Sequence, residues 1–371
     1  MKVSETDDIT SSLSHEVVLA LSKNMEEAAA MADLIYTSDI NPGINRVKKQ
    51  DQFVFFYRNK PVTNQGQLER IRKLAIPPAW EEVWICPVPN GHLQATGKDV
   101  RKRKQYKYHH RWEKLRNETK FHRLLEFGKQ LPALRMKLEE DLASKGLNEN
   151  KVLATVISLM ERTYIRIGNN GYEKMYGSYG ISTLKDKHVA INGHEIHFSF
   201  KGKKGIVHKI SLKNRKLAAI VKACKEIPGK ELFQYYDDEG HRGVIDSGKV
   251  NQYIKDATQG DFTAKDFRTW AGTLNMISSL KAMEEAVTEA EKKKRILEAI
   301  DEVSIKLGNT RTVCKKYYVH PGIIRLYEED KLKELLDELD ALEEPDQKTG
   351  LMKEELLLMG LLEKMHFSQQ V

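Results

Sequence analysis

The sequence predicts an α+β chain, with a small β-rich region towards the N-terminus and a larger, mainly helical region that carries a three-stranded meander. Three observations predict it. Runs rich in aromatic and β-branched residues, such as Phe53-Val54-Phe55-Phe56-Tyr57 and Val83-Trp84-Ile85-Cys86, alternate with turn residues between Ile44 and Tyr108. Beyond Glu113, apolar residues recur mostly at three- and four-residue steps, the period of an amphipathic helix. Near residue 190, Asn192-Gly193 joins two short alternating runs, a strong hairpin signal.

Taken in order, residues 1–40 read as a helical arm. Ser14 is its candidate cap, and Val17, Val18, Leu21, Met25, Ala28, Met31 and Ile35 form its apolar face. Asn41-Pro42-Gly43 breaks it. Residues 41–112 form the β-rich domain, with a short amphipathic helix over Gln67–Leu74, a rigid corner at Ile76-Pro77-Pro78-Ala79-Trp80 and a turn at Pro89-Asn90-Gly91. Residues 113–330 form the helical domain. Its helices are expected over Phe121–Leu131, Leu134–Ala143, Val152–Tyr164, Leu217–Ile227, Gly248–Ala257, a stretch ending at Met283, and Glu284–Leu307. The meander takes His188–Ile191, His194–Phe200 and Ile206–Leu212, with Lys201-Gly202-Lys203-Lys204-Gly205 as its second turn. Residues 331–371 read as an acidic helical tail that serves as an interaction or packing appendage.

Length and composition narrow the function. A chain of 371 residues with 40% apolar residues can bury a core and form more than one domain. It has no run of 18 apolar residues, so no membrane partner is expected, and its start, MKVSETDDIT, does not follow the pattern of a secretion leader. Cys86, Cys224 and Cys314 are too scattered for a disulfide framework or a CxxC metal site, which fits a reducing cytoplasm. His194 and His197, three apart in a strand, face opposite sides, so no zinc pair and no metal are expected there. The net charge of +8 hides an asymmetry: from Gly322 onward there are six Lys/Arg against 13 Asp/Glu, leaving about +15 on residues 1–321. A basic body of this kind suits a polyanion. Between Lys98 and Arg123, 11 Lys/Arg face three acidic residues, with Tyr106, Tyr108, Trp112 and Phe121 interleaved. In a strand, Tyr106 and Tyr108 share one face; cations track phosphates while Gln105 and the tyrosines reach base edges.

The chemistry centres on Leu307–Pro321, LGNTRTVCKKYYVHP. Val313, Cys314 and Tyr317 can face a core at helical spacing; Tyr318, rotated by about 100°, points elsewhere. A tyrosine near a helix end is usually a half-buried packing residue. The residues upstream argue for more. Arg166 stands among apolar neighbours in Ile165-Arg166-Ile167, Lys203 sits on a loop, Arg268 lies between aromatics, and Asn309 precedes the tyrosines. A buried arginine is costly unless it is paired or aimed at an anion. Tyrosine attack on a phosphodiester conserves bond energy as a phosphotyrosine. Arginine forks and an amide donor suit the charge that gathers on the non-bridging oxygens, and a lysine can protonate the departing sugar oxygen. No metal or other cofactor is needed for such a set. A phenol, with a pKa of roughly 10, needs cations or a proton acceptor beside it.

These residues fall within segments that resemble one family. IPPAW, WICP with PNGHLQATGKD, RKQYKYHHRW, YIRIGN, FKGKKG, KDFRTWAGT and LGNT…KKYYVHP stand in the order found in the poxvirus-like type IB DNA topoisomerases, especially their bacterial branch. The resemblance covers about Asp39 to Gly322. It implies a β-rich N-terminal domain and a helical catalytic domain forming a clamp on duplex DNA. Transient cleavage of one strand through a 3′-phosphotyrosyl link would relax supercoils without ATP or metal. It implies that Arg166 and Arg268 clamp the phosphate, Lys203 is the general acid, Asn309 donates a hydrogen bond where poxvirus members have histidine, and Tyr318 is the nucleophile. It assigns Arg103, Gln105, Tyr106 and Tyr108 to DNA contacts and Lys265 to a further cation near the site. A monomer acting on nucleoid DNA in a bacterial cytoplasm is the matching expectation. Two alternatives stay open. A tyrosine recombinase uses related chemistry, but its usual His-x-x-Arg box reads Lys265-Asp266-Phe267-Arg268 here. A catalytically silent DNA-binding scaffold is disfavoured because all five chemical positions are filled.

Overall fold

The computed structural model describes residues 13–50, 52–284, 286–340 and 349–367. The first 12 residues of the expected arm, and residues 341–348 and 368–371 of the expected tail, lie outside the described residues. Contacts divide the chain into two units. One runs to Arg123 and takes in His366–Val371; the other is Leu124–Met365.

The first unit opens with α1 (His15–Lys23) and α2 (Met25–Met31), where the sequence suggested one continuous helical pattern. Asn24 explains the break: its side chain accepts from the Glu26 and Glu27 amides and so starts a second helix. Next come β1 (Ile44–Lys49), β2 (Gln52–Tyr57), β3 (Lys60–Pro61), α3 (Gln65–Lys73), β4 (Glu81–Ile85), β5 (Leu93–Lys98) and β6 (Lys104–Tyr108). The strands form an antiparallel sheet in the order β3-β2-β1-β4-β5-β6. Ile44, Ile71, Val83, Ile85 and Ala95 fill its core, so α3 covers one face. Strand β6 is an edge, and its outward residues alternate with half-buried ones. A second cluster joins α1 and α2 to Trp112 and Leu115.

Helix α4 (His110–Ala143) is one 34-residue element, where two apolar stretches were expected, and Pro132 lies inside it. The division between the units falls within α4, between Arg123 and Leu124. A proline ring crowds the carbonyl of the residue four places earlier, here Gly128. Leu124, Leu125, Phe127, Leu131, Leu134 and Leu138 are all buried, so packing on both sides of Pro132 outweighs the lost hydrogen bond.

The second unit continues with α5 (Glu149–Thr163), α6 (Asn170–Tyr176), the meander β7 (Val189–Asn192), β8 (Glu195–Lys201) and β9 (Val207–Lys213), and α7 (Arg215–Glu226). Asn192 pairs with Glu195, so the hairpin loop is Gly193-His194 and His194 is a loop residue, not the first of a strand. Gly193 takes a φ of +58°, which the tight loop requires. A short antiparallel pair, β10 (Gln234–Tyr236) and β11 (Arg242–Val244), was not anticipated. It is followed by α8 (Ser247–Thr258), α9 (Ala264–Ala282), α10 (Glu289–Leu307), α11 (Arg311–Tyr317), α12 (Pro321–Glu328), α13 (Lys331–Asp340) and α14 (Lys353–Phe367).

Helix α14 takes the packing role of the two expected for the tail. Leu357, Leu358, Leu361 and Leu362 belong to the main core. The Glu355 carboxylate, 2% exposed, receives hydrogen bonds from Arg135 (2.8 Å from each terminal nitrogen), the Met352 amide (2.9 Å) and Trp270 Nε1 (3.0 Å). Burial pushes this carboxyl up, but Arg135 and the two N–H donors outweigh it and hold it below its usual value.

Candidate active site

Helix α9 is the platform. Arg268 and Gly272, four residues apart, lie on one face of it. The backbone of Tyr318 rests on Gly272 so closely that a Cβ there would lie 2.5 Å from the Tyr318 carbonyl oxygen. Thr273 fixes the same strand of chain: its hydroxyl donates to the Tyr318 carbonyl (3.3 Å) and accepts from the His320 amide (3.1 Å). Tyr318 caps α11 with its amide on Cys314 O, and Pro321 starts α12, so the tyrosine sits at a fixed corner between two helices.

That corner brings the phenol ring over Arg268, whose Cζ lies 5.1 Å from the ring centroid. Arg268 is only 5% exposed and has no carboxylate partner among the described residues. Its Nη1 donates to Tyr164 O and its Nη2 to Leu307 O at 2.8 Å. Arg166 reaches the same place from the segment after α5, where Nη2 donates to Gly308 O at 2.9 Å and to the Asn309 side-chain oxygen. Helix α10 ends at Leu307, with Gly308 left-handed at φ +57°. Its end thus offers orphan carbonyls and a partial negative charge, and the two guanidinium groups cap them.

Tyr164 is the complementary turn. It is a left-handed non-glycine residue, φ +57°, and it caps α5 where the sequence placed the end of that helix. Its carbonyl meets Arg268, and the chain beyond is pinned by Ile181 N to Arg166 O (2.7 Å) and Ser182 N to Ile167 O (2.8 Å). Arg166 therefore projects from an irregular, well-anchored segment, not from a helix.

Two cations with no anion between them are electrostatically costly. Burial and the neighbouring Arg268 push the Arg166 guanidinium down to about 10, against the opposing pull of Tyr318 and Cys314. Burial also pushes the Cys314 thiol up to about 11, although both arginines act the other way. Two donors are left over: Arg268 Nε and Asn309 Nδ2 are buried with no hydrogen-bond partner among the described residues. A buried unpaired donor costs about 1–3 kcal/mol, so a site that keeps two of them is poised for acceptors from outside.

The structure thus brings Arg166, Arg268, Asn309 and Tyr318 together. Tyr317, expected to face the core, is instead 37% exposed with Lys316 near its ring, while Cys314 takes the core position. Lys203 lies in a 3-10 turn between β8 and β9, exposed and without a hydrogen bond or ion pair among the described residues. Lys265 is exposed in the first turn of α9, the positive end of the helix dipole, where a lysine gains nothing from the helix itself. In the first unit, Asp99 holds Arg103 (2.7 Å) and Gln105 (3.1 Å), and the exposed Tyr106 and Tyr108 rings lie parallel with centroids 6.0 Å apart. Gly272, Thr273 and Tyr164 were missed by sequence reasoning. Gly272 and Thr273 lie within the KDFRTWAGT motif, which was the available signal; a left-handed tyrosine leaves none.

A helical unit in which two guanidinium groups and an amide converge on a phenol has the chemistry of phosphodiester transfer. Comparison with known proteins narrows this. The family described as eukaryotic DNA topoisomerase I, catalytic core, matches residues 104–345, and the bacterial DNA topoisomerase IB N-terminal domain matches residues 52–99. DNA topoisomerase 1B of Acanthamoeba polyphaga mimivirus is 34% identical over 295 residues, covering 77% of this chain and 88% of the relative. DNA topoisomerase 1B of vaccinia virus (strain Copenhagen) is 22% identical over 251 residues, covering 67% of this chain and 74% of the relative. The chain belongs to the type IB DNA topoisomerase family.

Proposed function

We propose that the protein relaxes supercoiled duplex DNA by cutting and resealing one strand through Tyr318. The observation that carries the reading is that Arg268, whose guanidinium lies over the Tyr318 ring, and Asn309, which accepts from Arg166, each keep a buried donor, Nε and Nδ2, with no partner among the described residues. A phosphodiester supplies the oxygens and the negative charge that such a site lacks.

In the forward step the Tyr318 oxygen bonds to phosphorus and the bond from phosphorus to the sugar O5′ breaks. The phenol releases its proton to water, and Lys203 protonates the departing O5′. Arg166, Arg268 and Asn309 hold the non-bridging oxygens, where their fixed positions matter most as charge builds up. The product is a 3′-phosphotyrosyl ester and a free 5′-hydroxyl. The cut strand swivels under its own torsional strain, and the reverse step reseals it. Neither nucleotide hydrolysis nor a metal ion enters this scheme.

Arg103, Gln105, Tyr106 and Tyr108 of the first unit, and Lys265 of the second, engage the same duplex in this reading. The basic segment around β6 and the parallel, exposed tyrosine rings support it. The reading also includes a monomer acting on nucleoid DNA in a bacterial cytoplasm, with three free, buried cysteines suited to a reducing compartment.

The test is relaxation of supercoiled plasmid with chelator present and no nucleotide. Wild type yields a ladder of relaxed topoisomers. Tyr318→Phe binds DNA but leaves the plasmid supercoiled, while Tyr317→Phe stays active. A dead Tyr317→Phe beside a live Tyr318→Phe refutes the assignment; joining or inversion of DNA at paired sites refutes the topoisomerase reading in favour of recombination.

A further inference from the structure

Among the groups around the site, His208 on β9 has no part in the chemistry above, yet its surroundings are built around it. Its ring stacks on Phe200, with centroids 5.0 Å apart and planes 18° from parallel. A Cβ on Gly202 would lie 2.6 Å from its Cδ2 and Nε2, and a Cβ on Gly308 would collide with its Cε1. Gly202 begins the turn that carries Lys203, closed by Gly202 N to Ile206 O (2.7 Å) and Gly205 N to Gly202 O (3.1 Å). Gly308 is the residue before Asn309, and its carbonyl receives Arg166. One imidazole therefore touches both the lysine turn and the phosphate-holding loop, and at both contacts the neighbour is a glycine. Burial, Arg166 and Arg268 all lower the histidine below its ordinary value, so the ring is neutral at pH 7 and contributes shape, not charge.

We propose that His208 is a positioning residue, a spacer whose ring holds the Lys203 turn in register with the Asn309 loop. This rests on the reading of Lys203 as the acid that protonates O5′. A flexible, exposed lysine reaches a leaving oxygen only if its turn stands at the right distance from the clamped phosphate. A displacement of about 1 Å at such a point costs up to about 10²-fold in rate. Two glycines against adjacent atoms of a flat ring set that distance by contact.

The test compares single-turnover cleavage of two duplexes, one with the natural bridging oxygen at the scissile 5′ position and one with sulfur there, whose departure needs no proton. Lys203→Ala is the control: slow on oxygen, restored on sulfur. We expect His208→Ala to behave the same way, about 10²-fold slow on oxygen and close to wild type on sulfur, with unchanged DNA affinity. A histidine replaced by 3-thienylalanine, a five-membered ring with no ionisable nitrogen, should cleave the oxygen substrate near the wild-type rate. That variant keeps the question answerable if His208→Ala does not fold. His208→Ala equally slow on both substrates, or as fast as wild type on oxygen, overturns the proposal, as does a slow thienylalanine enzyme. Failure of sulfur to restore Lys203→Ala overturns the general-acid reading itself, and the spacer role with it.

Discussion

Replacing Arg268 with methionine separates what the site does for the fold from what it does for DNA. The guanidinium has five N–H donors. One goes to Tyr164 O and one to Leu307 O, and the Nε donor is buried without a partner. Methionine fills similar volume without charge. It leaves two carbonyls without their donors, a loss of roughly 1 kcal/mol each. It also removes an unpaired buried donor, worth about 1–3 kcal/mol, and the repulsion that pushes Arg166 down. Exchanging a buried charge for an apolar side chain is often neutral or stabilising. The gains and losses nearly cancel, so the free protein should melt within a few degrees of wild type. Cleavage is another matter: losing one preorganised donor to the transition state costs about 3–4 kcal/mol, or 10²–10³ in rate. The assay pairs thermal denaturation without DNA with single-turnover cleavage of an excess of enzyme over duplex. A variant that melts far below wild type yet cleaves normally once folded would refute the reasoning, because Arg268 would then be a structural capping group only.

Three further outcomes follow from the geometry. Asn309→Asp places a carboxylate against Arg166, so it should raise the melting temperature while cutting the cleavage rate below that of Asn309→Ala; the opposite order of rates contradicts an anion-binding site. Glu355→Gln breaks a buried ion pair and should cost up to about 3–5 kcal/mol in chemical denaturation. Because Arg135 holds the Glu355 carboxyl below its usual 4.5, its stabilising contribution is complete above that value and is lost as pH falls through the lower folded value. Wild type should therefore lose stability on acidification more steeply than Glu355→Gln, and parallel curves count against a stabilising role for the Arg135–Glu355 ion pair. Lys104→Ala on β6 should weaken DNA binding and reduce the slope of log affinity against log salt by about one, whereas Tyr106→Ala should weaken it with the slope unchanged; equal slopes in wild type and Lys104→Ala rule out a phosphate contact.

Much of this was legible in the chain. Period-two alternation put Tyr106 and Tyr108 on one side of a strand, and they lie there as parallel rings. Glycines on both sides of Lys203 marked a turn at the meander's tip, which the structure has. Arg166, Arg268, Asn309 and Tyr318 were picked out as unusual by chemistry, and they converge. The failures share a cause: each depended on a tertiary contact that local pattern does not encode. Pro132 suggested a break, but the buried leucines on both sides of it hold α4 in one piece. The acidic C-terminal segment read as an interaction or packing appendage, and one buried glutamate with four apolar neighbours makes α14 part of the main core. His208 looked like any strand histidine until Gly202 and Gly308, about 100 residues apart, met around it.

The central claim concerns which atom of the protein becomes joined to DNA. A duplex whose short 5′ fragment diffuses away after cutting traps the covalent species, and peptide mass spectrometry then locates the nucleotide. Attachment of the DNA 3′ end to Tyr318 is the predicted result. A nucleotide on Tyr317 or on any other residue, or no covalent species from enzyme that relaxes plasmid, would contradict it.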